Sequence, residues 1–149
     1  MFCRGVIMKK KKVTVAVATV VCIIFAATIF VHANPKLRTT LFVHAYHDLM
    51  EEGFANHSGV PADEAVLLGY KYMNSWDAEH PMTEFLIMSR GDTYYGCYYS
   101  PDGVPLAFQN TDTTLVQNGH NYWEWRAEGD NHGSTSLILG NWYYFEASF

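Results

Sequence analysis

Lys9 to Val31 reads KKKKVTVAVATVVCIIFAATIFV, four lysines followed by nineteen residues without a charge, and this stretch limits what the chain can fold into more than any other. As a helix, Val13 to Val31 would extend about 28 Å at 1.5 Å per residue, close to the ~30 Å hydrocarbon core of a bilayer. The stretch therefore predicts a single transmembrane span. The run is longer than the apolar core of an ordinary secretory signal. The alternative is cleavage near Ala33, where Val31-His32-Ala33 offers small or modest residues to a signal peptidase. Val21 stands before Cys22, where a lipidation signal would have a small residue, so Cys22 reads as a lipid-facing hydrophobe.

Charge sets the expected orientation. Arg4 and Lys9 to Lys12 precede the span with no acid among them, whereas only Lys36 and Arg38 closely follow it. The positive-inside rule then keeps the N-terminus cytoplasmic and sends the remainder outward, at the cell membrane. Three parts follow: a basic cytoplasmic segment (1–12), a membrane anchor or uncleaved signal (13–33) and an extracytoplasmic domain (34–149). Met8 directly precedes the lysines, so translation is compatible with a start at Met1 or at Met8.

All fifteen acids lie in 34–149 against five cations, a net charge of −10 for that part. Phosphodiester backbones are held by clustered Lys and Arg, so nucleic acid is not an expected partner. At 116 residues the part is large enough to bury a core without staples. Cys97 is its one cysteine, which excludes a disulfide within it and suits a small buried hydrophobe.

Asn34-Pro35 has the form of a helix N-cap and first helical residue. In the helix that follows, a 100° step gathers Phe42, Ala45, Tyr46, Leu49 and Met50 on one side and His44, His47, Asp48 and Glu51 on the other. The second set is metal-competent by residue type. It is also the polar stripe any surface helix needs, and with no second His- or Cys-rich element of known spacing no metal or other cofactor is assigned. Residues 56–61 read as a loop. Ala62 to Leu68 favours a helical turn, and Tyr70, Tyr72 and Trp76 alternate as in a strand.

From Thr83 on, TEFLIMS, TYYGCYYS, VPLAFQ, TTLVQ, HNYWEWRA, STSLIL and WYYFEASF are short, rich in β-branched and aromatic residues, and divided by turn signals such as Gly91-Asp92, Asn118-Gly119 and Gly140-Asn141. The absence of crossover helices between them excludes a doubly wound parallel sheet. The expected fold is α+β: after the transmembrane helix, one amphipathic helix packed on an antiparallel β-meander. A small β-barrel or sandwich is the alternative.

Twenty of the 116 residues are Phe, Tyr or Trp. Strand alternation puts Trp123 and Trp125 on one face and Tyr122, Glu124 and Arg126 on the other. In the last strand it separates Tyr143, Phe145, Ala147 and Phe149 from Trp142, Tyr144, Glu146 and Ser148. With the first of these sets in the core, Trp142, Tyr144, Tyr122, Glu124 and Arg126 become the candidate binding residues, a flat aromatic surface with hydrogen-bonding partners that suits a protein or a glycan. No Gly-x-Ser-x-Gly, phosphate loop, Cys-x-x-Cys or regular calcium loop is present. The expected function is thus a membrane-anchored binding or accessory domain. The alternative is a small cell-surface glycan hydrolase drawing a carboxylate pair from Glu124, Glu128, Asp130 and Glu146.

Overall fold

A computed structural model describes residues 3–55, 70, 72–76 and 79–149, so the loop and helical turn expected over 56–68 lie outside the described residues. The chain divides into two compact units, Met1–Asn34 and Pro35–Phe149.

The first unit is helix α1, Cys3–Ala33. Its window Ala16–Ala33 has a mean hydropathy of 2.4, and no part of it is buried. By length and composition it can cross a membrane, and a signal sequence has the same properties. The helix stops where Pro35 brings no N–H to its ladder, and the Asn34 N–H closes the last turn on Phe30 O at 3.1 Å and Val31 O at 3.3 Å.

The second unit is α+β. Helix α2, Pro35–Ala55, begins at the expected proline. Among the described residues seven strands follow: β1 Tyr72–Trp76, β2 Met82–Arg90, β3 Thr93–Tyr99, β4 Leu115–Gln117, β5 Tyr122–Arg126, β6 His132–Leu139 and β7 Trp142–Ser148. They form one open antiparallel sheet in the order β1-β2-β3-β7-β6-β5-β4, and not a barrel or a sandwich. The meander is thus two meanders, β1 to β3 and β4 to β7, joined where β3 pairs with β7.

This order forces residues 100–114 to cross from β3 to the far edge at β4. The expected strand VPLAFQ lies within this crossover and is not a strand. Pro105 cannot donate to a ladder, and the neighbouring backbone groups find side chains instead. Leu106 N–H donates to the Tyr98 hydroxyl at 2.8 Å, and Gln109 N–H donates to Glu84 Oε2 at 3.0 Å. A single 3-10 turn, Phe108–Asn110, lies within the crossing.

Each sheet face has its own core. On the crossover face, Leu106, Ala107 and Phe108 are buried with Met82, Leu86, Tyr98, Trp125, Tyr143, Phe145 and Ala147. Phe108 packs on Tyr94, Phe145 and Phe149 at ring separations of 5.8, 5.1 and 5.4 Å. Glycine is required at 133, since a Cβ there would collide with the Trp125 ring. On the other face, Phe42, Val43 and Met50 of α2 cover Phe85, Ile87, Cys97 and Trp142. Burial pushes the Cys97 thiol well above its ordinary pKa, in keeping with its reading as a core hydrophobe.

The buried line of α2 runs Thr39, Val43 and Met50, flanked by Phe42 and Tyr46. It is turned away from the expected stripe, for Leu49 is 47% exposed and Ala45 is exposed as well. The rows Thr39-Val43-Met50 and Phe42-Tyr46-Leu49 both contain spacings of 4 and 7, so periodicity alone does not choose between them and packing on the sheet does.

Among the described residues Glu84 is the one buried carboxylate. Oε2 accepts from Gln109, whereas Oε1 is buried with no partner. Desolvation raises its pKa to about 7, with the Gln109 N–H pulling the other way.

Candidate functional site

Strand pairing places nine side chains of β5, β6 and β7 on one face in three rows. Tyr122, Ser136 and Tyr144 form the first, Glu124, Ser134 and Glu146 the second, and Arg126, His132 and Ser148 the third. This is the face that α2 lies on, but the core beneath α2 takes its sheet residues from β2, β3 and the start of β7. The second and third rows remain open and border a depression of about 240 Å³.

The array is pre-arranged by its own hydrogen bonds. Tyr122 OH donates to Glu124 Oε1 at 3.0 Å, and Asn118 Nδ2 donates to Oε2 of the same carboxylate at 3.2 Å. Tyr144 OH reaches Glu146 Oε2 at 3.4 Å. Burial first, and then the nearby carboxylates, raise the pKa of both tyrosines, so each stays protonated and acts as a donor; at Tyr122 a hydrogen bond from Ser134 opposes the rise. His132 Nδ1 faces the Asp130 carbonyl at 2.7 Å. A nitrogen so placed donates to the carbonyl.

Of the expected binding residues, Tyr122, Glu124 and Arg126 stand together at this depression. Trp142 and Tyr144 do not form an exposed surface. Trp142 is 1% exposed, and its Nε1 donates to Glu51 Oε1 on α2 at 2.6 Å. Tyr144 is 5% exposed, with Lys36 Nζ 5.5 Å from its ring centre. Strand alternation assigned their face correctly; α2 covers the first half of that face, which makes Trp142 and Tyr144 core residues. Glu51, expected on the outer polar stripe, is Trp142's link to the helix.

Trp123 and Trp125 lie on the opposite face, as alternation predicts, with Trp125 buried. His132 and Ser134 escaped the sequence reading. Their signal was the turn Gly129 to Asn131, since counting back from it across the β5–β6 hairpin pairs His132 with Arg126 and Ser134 with Glu124.

Glu124 and Glu146 are exposed neighbours on one flat face, separated by Ser134. They stand side by side, whereas a glycosidase holds its two carboxyl groups on either side of the scissile bond. Glu128 and Asp130 are exposed in the β5–β6 turn.

Comparison with protein-family models, with curated proteins and with solved structures gives no match.

Proposed function

We propose that the chain is a membrane-tethered binding module whose open corner of β5, β6 and β7 docks a partner outside the cell. The observation that carries this reading is the three-strand array, in which an aromatic hydroxyl, two carboxylates, an arginine and a histidine surround one open depression. Such a mixture of flat aromatic area and oriented polar groups suits recognition of a protein or a glycan. The five cations before the apolar run support an N-terminus in the cytoplasm and residues 34–149 outside. The excess of acids after the run argues against nucleic acid.

The test is crosslinking and recovery of the full-length protein from its native membrane, wild type beside Tyr122→Ala with Arg126→Ala. The expected outcome is a recovered partner that the double variant loses at an unchanged denaturation midpoint. Equal recovery by both proteins would overturn the proposal. Protease added to intact spheroplasts should digest residues 34–149, and their protection would overturn the topology.

A further inference from the structure

The open rows have an order that points to a particular ligand. Glu124 and Glu146 flank Ser134 across three strands, which separates their Cα atoms by roughly 10 Å, two strand spacings. One row further on, roughly 6.7 Å along the strands, stand Arg126 and His132. In the row on the other side, the Ser136 hydroxyl is buried without a hydrogen-bond partner in a residue only 5% exposed. An unused hydroxyl, an acidic row and a basic row therefore succeed one another along a single direction.

The row spacing is the repeat of an extended chain, in which residues i and i+2 project to the same side. We propose that the array binds an extended peptide segment of its partner, one that carries a basic and an acidic side chain two residues apart. The basic group lies over Glu124 and Glu146, and the acidic group lies over Arg126, beside His132. This inference rests on the binding reading above and specifies its ligand. A neutral sugar can hydrogen-bond the carboxylates and the guanidinium but brings no opposite charge to either, whereas a peptide carrying both signs does. A uniformly basic peptide would set a like charge against Arg126.

Two labelled peptides of identical composition test it, each a Gly-Ser chain with either Lys-Ser-Asp or Lys-Asp-Ser at its centre. Only the first places both charges on one side when extended. Fluorescence anisotropy with the full-length protein in detergent micelles should show the Lys-Ser-Asp peptide binding at least tenfold more tightly. Glu124→Gln combined with Glu146→Gln should abolish that preference, and Arg126→Gln should weaken it. Equal binding of the two peptides by the unmodified protein, or a preference that survives the paired glutamine variant, would overturn the proposal. If the peptides are not distinguished but membrane recovery still depends on Tyr122 and Arg126, the peptide specificity alone fails. If recovery is also unaffected, the binding reading fails with it.

Discussion

The crossover 100–114 and helix α2 lie on opposite faces of one sheet, and they do different jobs. The core under the crossover draws on strands from β2 to β5, with Trp125, Tyr143 and Phe145 beneath Leu106 and Phe108. The core under α2 draws on β2, β3 and the first residue of β7, with Ile138 of β6 at its margin. Along β7 the α2 face passes from buried Trp142 and Tyr144 to exposed Glu146 and half-buried Ser148. One strand face thus serves as core for half its length and as open surface for the rest. One helix cannot cover the whole face of a seven-strand sheet, and here the polar residues of three strands coincide in the corner it leaves.

The largest effect that would sharpen this contrast is at the buried end. Trp142→Ala should lower unfolding free energy by about 3 to 5 kcal/mol, the range for emptying a large aromatic site, and it also removes the bond to Glu51. Urea denaturation of the full-length protein checks it. A loss below about 1 kcal/mol would mean that α2 does not seal that half of the face.

The crossover face has its own signature in Glu84. Its pKa is raised from 4.5 to about 7 in the fold, so the folded state favours the protonated acid. Below about pH 4.5 the group is protonated in both states and costs nothing; as pH rises towards 7 the unfolded chain releases the proton first and stability falls. The full loss is about 3 kcal/mol, from 1.36 kcal/mol per pKa unit. Denaturation midpoints at pH 5 and pH 8 should show that decline, and Glu84→Gln should flatten it. A Glu84→Gln protein with an unchanged pH slope would place the effect elsewhere.

Within α2 two neighbouring residues separate. Met50→Ala should cost about 2 to 5 kcal/mol as a buried residue, whereas Leu49→Ala should stay within about 0.5 kcal/mol at 47% exposure. Equal costs would return the buried stripe to the position that the apolar periodicity first suggests.

That periodicity shows how far the sequence could be read. The apolar N-terminal helix, the proline at the start of α2, most of the strands and the alternation in β5 and β7 were all legible, because each depends on residues close in the chain. Two things were not. The pairing of β3 with β7 is a long-range choice, and it turns VPLAFQ from a strand into a crossover whose backbone is satisfied by Tyr98 and Glu84. The extent of α2 over the sheet likewise depends on packing, so alternation could give Trp142 and Glu146 one face without revealing that one is covered and the other is not. Tyr122, Glu124 and Arg126 stand at the open depression because β5 lies outside the core beneath α2. Trp142 and Tyr144 were misjudged because β7 passes under it.

Hydroxyl-radical footprinting of the full-length protein in detergent micelles measures that division directly, residue by residue. Tyr122, Arg126 and His132 should be oxidised readily while Trp142 and Tyr144 are spared, despite the high intrinsic reactivity of their rings. Oxidation of Trp142 at a rate matching Tyr122 would contradict the account, because the α2 face would then be open along its whole length.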